Sequence, residues 1–263
     1  MPFIQCKPMK QTIFTETYKV RSTQLNVNNQ LGLYGVLGIL QDIAAEHAEN
    51  LGFGYEQLVK EGFFWVLTQQ KLKMKRWPKW NERITVKTWS LPVMGVYAFR
   101  EFEILSEKGE VIGSCSSTWI TLDIASRKPI DLSDRQELFY ARTDGALDFK
   151  TERIDLPSDL ELIKKFNVRI SDLDVNLHVN NIKYSQWVLD MLSLKNHKNY
   201  VIKEYDINFL SETFYNDEIQ GYSSTPTFET DGNITVFFCG KKSEQTKPAF
   251  IAKLVAEPIK KNL

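Results

Sequence analysis

The chain has 263 residues and balances 33 lysine and arginine residues against 33 aspartate and glutamate residues. Its length fits one large domain or two domains of about 130 residues each. The balanced charge argues against general nucleic-acid binding and against an acidic or basic interaction tail. The sequence contains no phosphate-binding loop, H-E-x-x-H helix or paired C-x-x-C, so we expect no nucleotide, metal or other cofactor.

The three cysteines, Cys6, Cys115 and Cys239, are too few and too scattered for a disulfide framework or a zinc knuckle. The first residues, Met1–Lys7, have no apolar run as long as a signal peptide needs, and no stretch of the chain is apolar enough to cross a membrane. We therefore expect a soluble, cytoplasmic protein without a membrane partner.

The first half predicts one long helix followed by a set of long strands. Apolar side chains with a helical spacing begin at Leu33 and end near Leu51, and Gly52 lies where a C-cap belongs. The strand candidates that follow are Phe63–Met74, Arg83–Trp89, Val96–Leu105 and Val111–Leu122, joined by turn signals at Pro78, Pro92 and Glu107–Glu110. A long helix before long antiparallel strands is typical of an α+β layer in which a sheet wraps around the helix.

The second half repeats this plan after a polar connection. A helical spacing of apolar side chains starts at Ile182 and ends at Leu192. The strand candidates after it are Ile202–Ser211, Glu218–Ser224, Ile234–Gly240 and Ala249–Ala256. We therefore expect an N-terminal domain at residues 1–130, a linker at 131–162 and a C-terminal domain at 163–263.

An internal repeat supports this division. The segment Val20–Asn28 matches Val168–Asn176 at an offset of 148 residues, with five of nine positions identical, and each copy leads into an amphipathic helix. At two positions the first copy has Asn26 and Gln30 where the second has ionisable side chains. The second copy is therefore the chemically competent one, and the first is expected to be a structural and substrate-binding partner.

The second copy carries three polar side chains at alternate positions, Asp174, Asn176 and His178, just before a helix. If this segment is extended, all three point the same way, toward the helix N-terminus. Asn180 or Asn181 is the expected N-cap. Because converging titratable groups beside amide donors mark functional sites, we interpret this segment as an active site.

The run Asp-x-Asn-x-His-Val-Asn-Asn-x-x-Tyr from Asp174 to Tyr184 resembles the signature of the acyl-acyl carrier protein thioesterase family. The resemblance covers nearly the whole chain, and its other landmarks are Leu40–His47, Gly52–Gly54, Trp65–Thr68, Arg76–Trp80 and Ser117–Trp119. It implies an α+β fold of two tandem hot-dog domains. It also implies a hydrolase of fatty acid biosynthesis that cleaves the thioester of fatty acyl-acyl carrier protein (acyl-ACP), releases free fatty acid and ends chain elongation.

The resemblance also assigns catalytic residues. By position they are Asp174, Asn176, His178 and Glu212, and the expected partner is an acyl carrier protein bearing a fatty acyl phosphopantetheine. Plant members commonly have Cys after this Glu, whereas this chain has Thr213, which argues against a thiol-dependent mechanism.

Thioester hydrolysis needs an activated water or carboxylate nucleophile and donors for the developing oxyanion. We expect Glu212 with His178 to activate water, Asn176 to orient the reacting groups, and amides at the helix start to polarise the carbonyl. Asp174 could attack as a nucleophile or hold a neighbouring group, and the sequence does not choose between these roles. Strand alternation places Glu212 on the face opposite to the apolar residues before it, unless a bulge intervenes.

The acyl chain requires an apolar tunnel, and the first half offers candidates for its wall: Leu37, Leu40, Ile43, Phe53, Phe64 and Trp65. The basic residues Lys71, Lys73, Lys75, Arg76 and Lys79 could steer an acidic carrier protein, although a solvated sheet face explains them equally well.

Several alternatives remain open. An acyl-coenzyme A thioesterase would perform the same hydrolysis, and a non-catalytic acyl-binding hot-dog module would perform none. A hot-dog dehydratase fits the Asn-containing motif less well, and a serine hydrolase is disfavoured because no G-x-S-x-G elbow is present. A homodimer is compatible with the sequence, but tandem fusion can satisfy the pairing that hot-dog folds require.

Overall fold

The structure is a computed structural model that describes residues 12–143, 147–230 and 232–259. Cys6 and the turn residue Asp231 lie outside these ranges. The first half contains β1 (Ile13–Lys19), α1 (Leu33–Leu51), α2 (Tyr55–Lys60), β2 (Phe63–Met74), β3 (Arg83–Met94), β4 (Tyr97–Leu105) and β5 (Val111–Asp123).

The second half contains β6 (Glu161–Asn167), α3 (Asn181–Asp190), α4 (Leu194–Asn199), β7 (Tyr200–Phe209), β8 (Glu218–Ser223), β9 (Thr227–Phe228), β10 (Ile234–Lys242) and β11 (Pro248–Pro258). Short 3-10 helices at Ser22–Gln24 and Ile170–Asp172 precede α1 and α3, and another at Ser133–Phe139 lies in the connection between the halves.

The strands form one antiparallel sheet in the order β1-β3-β4-β5-β2-β7-β11-β10-β8-β6, with β9 beside β10. The strand order of the second half mirrors that of the first half on the other side of the central β2–β7 pair. In this pair Gln69 lies opposite Asn208, and Lys73 lies opposite Glu204. Each half is therefore a sheet wrapped around one helix, as predicted, and the two sheets are continuous.

Helix α1 forms because its apolar side chains recur at the helical period and face the sheet. Leu40 and Ile43, near its middle, are essentially fully buried. The helix ends at Gly52, whose φ of 86° is in the left-handed region and whose amide donates to Ala48 O and Glu49 O, both at 3.0 Å. The predicted C-cap is confirmed.

Helix α3 has ten residues against nineteen in α1, and the core beside it is filled by aromatic rings. Tyr184 packs edge-on against Trp187, Phe209 and Phe250 with centroid distances of 5.1 to 5.4 Å. Burial raises the pKa of Tyr184 to about 12, so its hydroxyl stays protonated. The core beside α3 is thus packed with aromatic rings.

Several features differ from the sequence predictions. The short elements α2, α4 and β9 were not predicted, and α3 ends at Asp190. Pro92 lies within β3, at a register shift between Leu91 and Met94, and not in a turn between strands. Strands β1 and β6 were not predicted. They are the two outermost strands, and their side chains are mostly exposed or half-buried, so their alternation of polar and apolar residues is weak.

Within the described parts of the chain, none of the helices combines the length and the apolar character needed to cross a bilayer.

Candidate active site

The segment before α3 is a tight turn, so the condition under which strand alternation would align its three polar side chains is not met. The carboxylate oxygen Oδ1 of Asp174 accepts from the amides of Asn176 (2.8 Å) and His178 (3.3 Å). The Asp174 amide donates to His178 O at 2.8 Å, and Leu177 has a φ of 61°. Aspartate side chains favour such turns because their carboxylate oxygens accept hydrogen bonds from nearby amides, which then need no partner on another strand.

The first half contains the same turn. Asn26 Oδ1 accepts from the amides of Asn28 (2.9 Å) and Gln30 (3.2 Å), and Asn29 has a φ of 59°. The repeat found in the sequence therefore corresponds to a repeated backbone structure. It also indicates that the turn needs a side-chain oxygen at this position but not a negative charge.

The start of α3 is capped by Asn180, whose side chain accepts from the Ile182 amide at 3.0 Å. The neighbouring amides of Val179, Asn180 and Lys183 donate to backbone carbonyl oxygens. No described residue accepts from the Asn181 amide. The N-terminus of α3 therefore keeps one amide donor available, together with the positive end of its helix dipole.

Glu212 lies three residues beyond the end of β7, so the strand alternation that would have turned it away does not apply to it. Its Oε1 is 3.5 Å from His178 Nδ1. The backbone of His178 pairs with Phe214, and the Phe214 ring packs edge-on against the imidazole at 5.0 Å. The structure therefore places an imidazole and a carboxylate side by side next to the turn.

Two residues of this site were missed by the sequence analysis, and both come from the first half. The Nη2 of Arg127 donates to Glu212 Oε1, and its guanidinium lies 4.8 Å from the centroid of the Phe64 ring. The Tyr55 hydroxyl donates to Asn176 Oδ1 at 3.3 Å. Arg127 belongs to a polar stretch without a motif, and nothing in the local sequence marks it.

A cavity of about 440 Å³ extends from the second-half turn into the first half. Its polar end contains Asp174, Asn176 and Asn181. Its other walls come from α1, from the sheet and from an aromatic group, with these residues among them: Ala44, Ala48, Phe53, Phe64, Trp65, Ala98, Trp119 and Phe139. Phe53, Phe64 and Trp65 line the cavity as predicted, whereas Leu37, Leu40 and Ile43 do not line it and belong to the buried core.

The part of the cavity wall that β3 and β4 form includes a buried cation, Arg100. Arg100 donates through Nη1 to His47 Nδ1 (2.8 Å) and to Thr88 Oγ1 (3.1 Å), and through Nη2 to Ser90 Oγ (3.4 Å). Burial lowers the pKa of Arg100 to about 10, so the guanidinium remains protonated at neutral pH. The cavity lining is therefore mostly apolar and includes both the polar turn and a fixed cation.

The basic residues on β2 are not a free docking surface. Lys71 Nζ lies 3.4 Å from Asp206, and Lys73 Nζ lies 3.5 Å from Glu204, both on the neighbouring strand β7. Their charges are balanced within the protein because β2 and β7 form the joint between the halves. Both lysines thus have carboxylate partners within the chain, and the steering of an acidic carrier protein by this face stays a prediction.

The thiols of Cys115 and Cys239 are buried, and burial raises the pKa of each, that of Cys239 to about 11. Thr213 is fully buried and its Oγ1 accepts from the Tyr184 hydroxyl at 2.9 Å. Neither these thiols nor this hydroxyl is placed as a nucleophile. Among the described residues, no group of three or more His, Cys, Asp or Glu side chains is arranged to hold a metal ion.

Two helix-wrapping sheets joined edge to edge, with a motif-bearing turn at the mouth of an apolar cavity, define a tandem hot-dog protein. This fold is shared by an acyl-ACP thioesterase from Bacteroides thetaiotaomicron (TM-score 0.81, 22% identity, 94% of this chain and 98% of that chain). It is also shared by the 12:0-ACP thioesterase from Umbellularia californica (TM-score 0.79, 18% identity, 95% of this chain and 96% of that chain). The predicted fold class is confirmed.

The sequence matches the acyl-ACP thioesterase N-terminal domain over residues 11–137 and the acyl-ACP thioesterase C-terminal domain over residues 157–252. The chain belongs to the acyl-ACP thioesterase family. A chloroplastic palmitoyl-acyl carrier protein thioesterase from Gossypium hirsutum is 23% identical over 239 residues, which cover 85% of this chain and 58% of that protein. The chain thus spans little more than half the length of this relative.

Proposed function

We propose that this protein hydrolyses the thioester of fatty acyl-ACP and releases free fatty acid, which ends chain elongation. The observation that carries this proposal is the pairing of His178 with Glu212 beside a turn that lines one end of an apolar cavity. Family membership supports the same reaction, because the Gossypium hirsutum relative is named for thioester cleavage on an acyl carrier protein.

In this proposal the pair of His178 and Glu212 is the general base. A proton on His178 Nδ1 faces the carboxylate, which fixes the tautomer and leaves Nε2 to take a proton from the attacking water. Glu212 then stabilises the imidazolium that forms, as a carboxylate does beside the histidine of a hydrolytic triad. The protonated imidazole returns its proton to the departing thiolate, which balances the reaction.

The oxyanion that develops on the thioester carbonyl needs donors that are already in place. The Asn181 amide fits this role because it lines the cavity, lies at the start of α3 and has no acceptor among the described residues. Asn176 is a second candidate donor. Its Oδ1 is occupied by the Tyr55 hydroxyl, which leaves the amide NH₂ of its side chain to orient the water or the carbonyl.

Asp174 is assigned a positioning role and not that of a nucleophile. Its Oδ1 is engaged by two amides of its own turn, and Asn26 makes the same two bonds in the first half, where no reaction is proposed. The Asp174 carboxylate holds the backbone of Asn176 and His178. It therefore supports catalysis by fixing the geometry of these two residues. The four assigned residues thus keep distinct tasks.

The acyl chain is proposed to lie in the first half, along the apolar walls of the cavity. In this division residues 1–130 bind the chain, 131–162 connect the halves and 163–263 carry most of the catalytic groups. The carrier protein is the proposed macromolecular partner. A homodimer and a cytoplasmic location remain predictions from the sequence.

The test is an assay of the purified chain on acyl-ACP substrates of graded length, with free thiol and released fatty acid measured together. The same acyl groups on coenzyme A form the second arm. Faster turnover on the carrier protein supports the proposal, and faster turnover on coenzyme A identifies the acyl-coenzyme A alternative. Binding of acyl-ACP without thiol release, or an unchanged rate in folded His178→Ala protein, would overturn the mechanism.

A further inference from the structure

The turn after β5 presents one side chain toward the second half. Asp123 closes this turn, since its Oδ1 accepts from the amide and hydroxyl of Ser126, both at 2.7 Å, and its carbonyl accepts from the Arg127 amide at 2.9 Å. Arg127 has a φ of 57°, in the left-handed region that favours glycine. A non-glycine residue in this conformation is strained, and such strain is often found at functional sites.

The side chain of Arg127 bridges the acyl cavity and the proposed base. Its guanidinium stacks on the Phe64 ring, which lines the cavity, and its Nη2 donates to Glu212 Oε1. His178 Nδ1 approaches the same carboxylate oxygen. Two groups from opposite halves of the chain therefore converge on one oxygen of Glu212.

This convergence has a physical consequence for Glu212. The residue lies beyond the end of a strand and its side chain is 30% exposed, so without a partner it could adopt several rotamers in solvent. A guanidinium anchored on an aromatic ring offers a preorganised donor that restricts this freedom. The carboxylate is then held where His178 needs it, in keeping with the steep dependence of rate on geometry.

We infer that Arg127 is a positioning residue for Glu212, contributed to the active site by the acyl-binding half. This inference rests on the proposed function, since it concerns the rate of the same hydrolysis. Its consequence is that the first half supplies more than a binding cavity. It also holds the carboxylate of the reaction, so that the two halves form one site.

The chain offers a matched control for this role. Arg135 pairs with Glu61 (3.2 Å) and lies 5.3 Å from the ring of Phe63, the residue before Phe64. The two arginines have similar side-chain exposure, 44% for Arg127 and 39% for Arg135. Both therefore combine a surface ion pair with a ring contact on β2, and they differ in which carboxylate they hold.

The experiment compares Arg127→Gln and Arg135→Gln with the unmodified chain on one acyl-ACP. We expect Arg127→Gln to lower kcat by about tenfold to a hundredfold while KM changes less than about threefold, because positioning acts on the chemical step. Arg127→Lys should recover part of the loss, since it restores the positive charge without the planar fork. Arg135→Gln should stay within about twofold of the original rate. An equal loss from both glutamine variants would overturn the inference.

A double-mutant cycle separates positioning from a general effect on the fold. In a Glu212→Gln background the carboxylate is already lost, so adding Arg127→Gln should lower the residual rate by less than about twofold. If instead the rate loss in the double variant equals the product of the two single losses, the inference is overturned. If the unmodified chain releases no thiol from acyl-ACP, the proposed function fails. If Glu212→Gln alone leaves the rate unchanged, the proposed mechanism fails, and the role of Arg127 fails with it. If Glu212→Gln is inactive while Arg127→Gln is fully active, only the role of Arg127 fails.

Backbone conformation provides an independent stability control. Arg127→Gly removes the side chain and suits a φ of 57°, whereas Arg127→Ala removes it and keeps the strain. We expect the glycine variant to be the more heat-stable of the two, with the same loss of kcat in both. If the less heat-stable alanine variant instead loses much more activity than the glycine variant, the positioning role is overturned.

Discussion

Glu212 occupies in the second half the position that Trp77 occupies in the first. The residues that follow them, Thr213 and Pro78, each accept a hydrogen bond from the backbone that leaves the repeated turn, at 2.9 and 2.7 Å. Trp77 is buried, and its indole donates to Ile202 O at 2.7 Å. One copy of the fold therefore carries a half-exposed carboxylate where the other carries a buried ring.

This relationship predicts that catalysis resides in one copy of the repeat. Replacing Glu212 with Gln keeps its shape and removes the negative charge that stabilises the His178 imidazolium, so kcat on acyl-ACP should fall by about a hundredfold or more. His178→Ala should give a loss of similar size, and the double variant should be little worse than either single variant, because the two residues act as a unit.

The first copy provides the control for this prediction. Gln30 stands where the second copy has His178, and Gln30→Ala should leave kcat within about twofold of the original value. Steady-state rates of thiol release on one acyl-ACP measure all of these variants. A comparable loss in Gln30→Ala would contradict the assignment of the chemistry to the second half.

The sequence predicts the repeat and most strands because these depend on local patterns. The bounds of β2, Phe63–Met74, were predicted to the residue, since this strand is long, rich in apolar and aromatic side chains, and bounded by clear turn signals. The N-cap at Asn180 and the C-cap at Gly52 follow from residue chemistry at helix ends in the same way.

The geometry of the site depends on contacts that no local pattern contains. The turn at Asp174 replaces an extended segment because its carboxylate bonds to amides two and four residues ahead, and alternation alone does not reveal this competition. Arg127 and Tyr55 reach the site across the joint between the halves. Their roles become visible when the fold brings distant segments together.

Asp174 offers a test between positioning and nucleophilic roles. Because Asn26 holds the equivalent turn with an amide oxygen, Asp174→Asn should preserve the turn and keep kcat within about fivefold. A nucleophilic carboxylate would lose at least a hundredfold in the same variant. Asp174→Ala removes both hydrogen bonds and should lower the free energy of unfolding by about 1 to 2 kcal/mol, as measured by urea denaturation.

Tyr55 is expected to tune the orientation of Asn176. Tyr55→Phe removes an exposed hydrogen bond of 3.3 Å and keeps the ring, so kcat should fall by about twofold to tenfold, with an unchanged melting temperature. Asn176→Ala should cost more, because it removes the side chain itself. Equal rates for Tyr55→Phe and the unmodified chain would indicate that Asn176 is held by its own turn alone.

The depth of the cavity should set the preferred acyl length. Ala98 lines its wall on β4, two positions before Arg100 and therefore on the same face of the strand. Ala98→Leu adds three carbon atoms to the wall, and each methylene that a long substrate can no longer bury should cost about 0.8 kcal/mol, or roughly fourfold in kcat/KM. Short chains that end before this wall should lose little, so the length profile should move toward shorter substrates. A uniform loss at every length, in a variant that melts at the original temperature, would place the acyl chain elsewhere.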